Sequence, residues 1–488
     1  MKKVLMMALG TLTILLLLSV LWSGYNYVFD NDELAHVHTI YLIAKGYQPY
    51  TSFFSIYSPV LHWLLVPLFW INGFSLSTIA DARFVMILLF LLRIGAASLL
   101  VKELFGKRVA FLFIPIVLMD PFTVFTAMQI RPDNLMMTFY TLGLLAATLG
   151  VKRKDKRLSF IAGLFLGAAV ITMIKIIPSI CIFGVLILIF YRTKGIRDAV
   201  IPLFVGFGTI VGFFLFSFFA SGTLVVMIRQ VIFDGKLLND SLLYPVTPGN
   251  FYWPVNVYLY GFSDRSLVWI YEWGILIVGF SGAFRIFFHS VSEPLSLRSL
   301  LKLLIPITLG IHWLLLFSFR SVFLQYYLPV SWLLAVGVAV VVDDLISTTY
   351  QNNIFRFTVL ASLVTAFLLV GKASIDLNLM RASIDGHEEE SRLEAILAKI
   401  PENEPVFPGF LFRPLVYPIP YGYYYGDMPS NVTTRFPPVG EILDKKNVRF
   451  LVATETYLSY LPKDAQQYIK GRFVRDTVLQ ELWIRKEE

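Results

Sequence analysis

The run DNDELAHVHTIYLIAKGYQPYTSFFSIYSPVLHW, residues 30–63, opens with three carboxylates in four positions and sets two histidines close behind them. A carboxylate can take the proton of an attacking hydroxyl, help hold a divalent ion, or simply stay hydrated. If residues 31–45 are helical, Asp32 and His36 lie four apart on one face, with Glu33 beside them. His36 and His38 are two apart and point to different faces. Residue types alone leave three readings open here: a solvated loop, a divalent-metal site and a catalytic carboxylate. Another acid, Asp133, follows Arg131 in QIRPDN, and isolated cations occur at Lys175 in MIKIIPS and at Arg320. Such cations can steady a developing anion, or they can snorkel from an apolar surface into water. No Gly-rich phosphate loop, HExxH or CxxC pattern occurs.

The elements that must position these groups are apolar. Of 488 residues, 57% are hydrophobic and only 15% charged, against about 25% charged in an ordinary soluble domain. Mean hydropathy is +0.70, and the apolar residues cluster in long runs. These features give an integral membrane protein. A crossing helix needs about 20 apolar residues, which predicts about eleven spans, near 4–23, 83–101, 109–127, 134–151, 158–174, 177–191, 199–221, 267–284, 303–319, 323–342 and 355–371. Residues 4–22 read as an uncleaved first span.

Charge sets orientation. The net charge of +8 is gathered in KELFGKR, KRKDKR and YRTKGIR, short tracts between apolar runs, which is a positive-inside pattern and not a nucleic-acid-binding face. With the N-terminus cytoplasmic, the loops 24–82, 128–133 and 222–266, the junction at Arg320 and everything after 372 fall on the outer side. The first outer loop then lies along the interface, Trp63 and Trp70 at headgroup depth. From 373 to 488 charge becomes frequent. HEEESRLEAILAKI reads as a helix, and VRFLVAT, RFVRDTV and LQELWIRK read as strands. The expected division is a transmembrane domain over 1–372, with its candidate catalytic loop at 24–82, and a small extracytoplasmic α/β domain over 373–488. The single cysteine, Cys181, cannot form a disulfide within the chain.

The opening segment resembles bacterial glycosyltransferase family 39 proteins of the GT-C class, relatives of protein O-mannosyltransferases and lipid A aminoarabinose transferases. Asp32, Glu33, His36, Gly46, Pro49, Tyr50, Phe53, Phe54 and Pro59 match the family pattern. Arg131-Pro132-Asp133 stands where the family carries an Arg/Asp pair, and QYYLPVSWLLA is similar to its Tyr-Leu-Pro entry to a late span. The chain departs from many relatives at Ser52, where they carry an acid, and over Ser55-Ile56-Tyr57-Ser58, where they carry acid-His-His-Pro.

The resemblance implies a polytopic α-helical, GT-C-like membrane protein that moves a sugar, with inversion, from a polyprenyl-phosphate donor to an acceptor hydroxyl of a glycan, lipid or protein. It implies a cell-membrane location, with the active site outside. Asp32 is then the base, with Glu33 or Asp133 orienting the acceptor or a neighbour. Arg131, Lys175 and Arg320 bind donor phosphate, and His36, Tyr50, Tyr57 and Tyr326 contact substrate. No cofactor is fixed, and a divalent metal stays open. The DND acids have the look of the metal-holding pair of nucleotide-sugar transferases, but those donors are cytoplasmic and the acids are expected outside. Two other classes remain as alternatives: a transporter or flippase of a lipid-linked sugar, and a non-catalytic membrane scaffold.

Overall fold

Each apolar run becomes a helix because a backbone in lipid must satisfy its own hydrogen bonds. The computed structural model describes residues 2–189, 194–241, 246–260, 266–294, 296–348, 353–384, 386–415 and 435–487. The helices begin with α1 (Lys2–Asn26), α2 (Asn31–Ala44), α3 (Val60–Asn72), α4 (Leu76–Phe105), α5 (Lys107–Met119) and α6 (Pro121–Ala127). Next come α7 (Pro132–Arg153), α8 (Lys156–Thr172), α9 (Ile177–Ile189), α10 (Lys194–Ala220) and α11 (Leu224–Ile228). A π-helical turn (Arg229–Asp234) leads into α12 (Gly235–Ser241). Then follow α13 (Val257–Tyr260), α14 (Ser266–Ser292), α15 (Leu297–Leu316), α16 (Leu328–Thr348), α17 (Asn353–Ala382) and α18 (Gly386–Lys399).

All eleven expected spans fall on helices, but the count changes. Among the described residues eight helices are long and apolar enough to cross a membrane, nine if α5 and α6 form one span bent by 71°. The bend sits at Asp120-Pro121, where proline supplies no backbone donor. At 17 and 13 residues, α8 and α9 are short for full crossings.

The chain divides into two compact units. The first comprises Met1–Tyr27, Phe84–Phe214 and Val246–Ile384. Its core is aromatic and aliphatic, with Leu16, Phe90, Phe113, Phe122, Leu309 and Tyr327 all but sealed from solvent. Within it α14 and α16 touch backbone to backbone. A Cβ on Gly282 would stand 2.1 Å from the Gly337 carbonyl oxygen, so only glycine fits.

The second unit comprises Val28–Arg83, Leu215–Pro245 and Asp385–Glu488. It holds α2 and α3, packed together, and a four-stranded sheet of order β1-β2-β4-β3 made from Val406–Phe407, Phe450–Val452, Phe473–Arg475 and Leu482–Arg485. β1 runs parallel to β2, and the other two pairings are antiparallel. Phe407, Leu443, Leu451, Ile469, Phe473 and Trp483 form its apolar core. The strands expected in VRFLVAT, RFVRDTV and LQELWIRK are therefore present, as is the helix α18.

Candidate active site

The acids of the first loop are sorted by a helix cap. Asp30 is the N-cap of α2 and accepts from the Asp32 backbone N–H at 2.8 Å, while the Glu33 carboxylate accepts from the Asp30 N–H at 3.1 Å. This reciprocal Asp-x-x-Glu box satisfies donors that a helix start leaves open. Glu33 is also gripped by Arg83, whose Nε and Nη2 donate to its two oxygens at 2.9 and 2.6 Å. Both side chains are fully buried, and Arg83 gives a further bond to the Val28 carbonyl at 2.8 Å. Glu33 is thus committed to cap and ion pair. Asp32, one position earlier in the first turn, stays half-buried on the accessible side.

On the same helix His36 turns inward and meets His62 of α3, Nδ1 to Nε2 at 3.0 Å, so one ring donates and the other accepts. The Tyr57 ring lies 4.8 Å from that of His36. Burial, and then the neighbouring His36, hold His62 well below the usual imidazole value; burial alone brings His38 down to about 3.

The loop between α2 and α3 is held from several sides. Tyr50 adopts φ +70°, a costly setting for an aromatic residue. Its hydroxyl donates to the Tyr57 carbonyl at 2.9 Å, and its ring packs on Phe218. Gln230, from the π-helical turn, donates to the Tyr50 carbonyl and accepts from the Ser55 N–H, both at 3.0 Å. The same turn places Asp234 against Arg435, which contacts both its oxygens at 2.9 Å.

In the first unit, Arg131 caps α7 and donates from Nε to Gln129 at 2.6 Å. Asp133, in the first turn, is buried and ion-paired with Lys175. The Lys175 ammonium also donates to the Gln325 carbonyl at 3.1 Å and lies 4.9 Å from the centre of the Tyr326 ring. Three residues singled out from distant stretches, Asp133, Lys175 and Tyr326, therefore meet. Arg320 is exposed at the end of the turn after α15.

Arg83, His62, Gln230 and Gln129 escaped the sequence reading. Arg83 had one available signal, a lone cation opening a long apolar run in DARFVMILLF. Among the described residues no group of three or more His, Cys, Asp or Glu side chains could hold a metal ion. Together these sites offer a carboxylate at a helix start and, separately, a buried arginine and a half-buried lysine suited to an anionic group.

Residues 56–220 match the family of dolichyl-phosphate-mannose-protein mannosyltransferases. Among solved structures, ArnT from Cupriavidus metallidurans in the apo state aligns over 95% of this chain and 94% of its own, with TM-score 0.62 and 14% identity. The same protein bound to undecaprenyl phosphate aligns over 84% of this chain and 85% of its own, with TM-score 0.58 and 14% identity. The apo Archaeoglobus fulgidus oligosaccharyltransferase aligns over 98% of this chain and 74% of its own, with TM-score 0.60 and 13% identity. No curated protein matches by sequence. The fold is thus that of multi-pass membrane glycosyltransferases, as the opening motifs led us to expect.

Proposed function

We propose that the chain is an integral membrane, inverting glycosyltransferase that moves a sugar from a polyprenyl phosphate to an acceptor hydroxyl of a glycan, lipid or protein. ArnT, similar in fold across nearly its whole length, has been seen with undecaprenyl phosphate bound, which is the donor's carrier chemistry. The observation that carries the reading is the division between adjacent acids. Glu33 is locked to Arg83, and Asp32 stays half-buried in the first turn of the same rigid helix.

A hydroxyl is a weak nucleophile at neutral pH, so Asp32 takes its proton as the new bond forms. The leaving phosphate ester needs no proton, but it does need positive charge. Arg131 and Lys175 supply it, with Arg320 as the exposed third cation. Asp133 orients Lys175, while His36, Tyr50, Tyr57 and Tyr326 shape the substrate contacts. The positive-inside pattern supports a cytoplasmic N-terminus in the cell membrane, transfer on the outer face, and a division into a transmembrane domain over 1–372 and an extracytoplasmic domain over 373–488.

The test is transfer by the purified chain in lipid across a panel of polyprenyl-phosphate sugars, comparing Asp32→Asn with wild type. Loss of the base should slow turnover by about 10²–10⁴-fold with donor binding intact. Turnover that survives the substitution removes Asp32 as base, and a wild type that consumes no donor defeats the enzyme reading.

A further inference from the structure

The turn between α4 and α5 and the turn between α7 and α8 gather cations that the proposed reaction does not use. The first carries Lys102, Lys107 and Arg108; the second carries Lys152, Arg153, Lys154, Lys156 and Arg157. Lys152 donates to the Glu103 carboxylate at 2.6 Å, which pins the two turns side by side within the first unit.

Both acids of these two turns are already engaged. Glu103 is held by Lys152, and Asp155 is the N-cap of α8, where it accepts from the Arg157 N–H at 2.8 Å. Arg108 reaches a carboxylate on another helix, Asp343 of α16, at 2.8 Å. Lys102, Lys107, Arg153, Lys154, Lys156 and Arg157 remain. All six are exposed, and among the described residues none of their side chains makes a hydrogen bond or an ion pair.

Helix stability does not account for these charges. Lys102 and Arg153 close α4 and α7, where the helix dipole favours a cation, but Lys107, Lys156 and Arg157 open α5 and α8, where it disfavours one. A signal for membrane orientation needs only an excess of positive charge in the loop. Here two turns are fastened together and their acids are taken up, so that like charges crowd on one surface. Their mutual repulsion is relieved by an anion placed among them.

The depth of the patch selects the anion. α4 and α7 are both long and apolar enough to cross a membrane, and Lys102, Lys152 and Arg153 stand in their last turns. Leu99, about one turn before Lys102, is 50% exposed, and Ile161, about one turn after Arg157, is 39% exposed. The helices therefore turn apolar side chains outward beside the charges, as at the boundary between acyl chains and phosphates. A soluble polyanion would meet the cations and leave that apolar rim uncovered.

We propose that the paired turns form a binding site for acidic phospholipid headgroups, whose phosphodiester oxygens accept from these six side chains. The proposal stands apart from the transferase reading and uses none of its residues.

The test places the full chain in nanodiscs of phosphatidylcholine with a minor fraction of phosphatidylglycerol. Lipid that stays bound after transfer to detergent is then counted by native mass spectrometry. Wild type should retain phosphatidylglycerol beyond its share of the bilayer. Lys154→Gln/Lys156→Gln should lower that enrichment by about fivefold for each cation removed. Lys102→Gln/Lys107→Gln, on the other turn, should act in the same way. Lys445→Gln/Lys446→Gln removes two exposed cations from the second unit, changes net charge equally, and should leave the enrichment as it is in wild type. A wild type without enrichment overturns the site, and so does enrichment that survives both patch variants. Equal loss in the patch variants and in the Lys445/Lys446 control reduces the effect to net charge and overturns it as well.

Discussion

Replacing Arg83 by Met separates a structural Glu33 from a catalytic one. The substitution keeps an unbranched apolar stem and removes three donors: two to Glu33, at 2.9 and 2.6 Å, and one to the Val28 carbonyl at 2.8 Å. What remains is a carboxylate with no solvent exposure that has lost its arginine and keeps its bond from the Asp30 N–H. Stranding one member of a buried ion pair costs about 3–5 kcal/mol. Removing both charges costs much less, because a buried amide at position 33 can still accept the Asp30 bond. Arg83→Met should therefore lower the denaturation midpoint of the chain in lipid or detergent sharply, and Arg83→Met/Glu33→Gln should recover more than half of the loss. Turnover should follow stability, since Glu33 acts by holding the helix that carries Asp32. The measurement is the double-mutant cycle, run in parallel on the midpoint and on donor consumption. A midpoint unmoved by Arg83→Met refutes the ion-pair argument. A double variant that regains stability while staying inactive refutes the structural assignment and returns Glu33 to the chemistry.

The remaining predictions concern other contacts. His38 and His62 stay neutral in the fold, with values pushed below the ordinary 6.5, so below that pH the unfolded chain takes up protons that the native chain refuses. Their contribution is fully present above pH 6.5 and falls as pH drops through it, by up to about 1.4 kcal/mol per pH unit for each site. A pH series of denaturation midpoints checks this, and an unchanged acid slope in His62→Phe would count against it. Lys175→Met should strand Asp133 and also weaken binding of polyprenyl phosphate by about 1.5–3 kcal/mol, the worth of a charge-assisted hydrogen bond. Adding Asp133→Asn should restore stability but not affinity, and restored affinity would make Lys175 purely structural. Gln230→Ala removes the two bonds that clamp residues 50 and 55, worth about 1–3 kcal/mol together, and should speed amide exchange at Ser55. Unchanged exchange there would show that Phe218 and the Tyr50–Tyr57 bond hold the loop without it.

How much of this was legible in the sequence follows from the range of each signal. Hydropathy averages over some twenty residues, so every apolar run was found as a helix; the runs at 158–174 and 177–191 were short already in the sequence, yet were counted as full crossings. The cap of α2 was legible because Asp30 and Glu33 sit at the spacing that a helix start imposes. Partners across the fold were not, because nothing local ties Glu33 to a residue fifty positions on, or His36 to one twenty-six on. Tyr50 matched a family pattern, yet its left-handed backbone is held in part by contacts from far along the chain, among them Gln230, 180 positions away. Charge conservation in an apolar interior does carry over such distances. An acid that cannot stay in water needs a cation or a proton, and the cations set into apolar runs are few. Applied to DARFVMILLF, LLRIGAAS and MIKIIPS, that rule marks Arg83, Arg93 and Lys175 as residues awaiting a carboxylate. The structure gives Glu33 to Arg83 and Asp133 to Lys175, while the terminal nitrogens of Arg93 have no hydrogen-bond partner among the described residues. In a chain this poor in charge, matching buried charges before assigning chemistry gives Glu33 to the fold, and Asp32 is the neighbouring acid for which the proposed function asks a catalytic role.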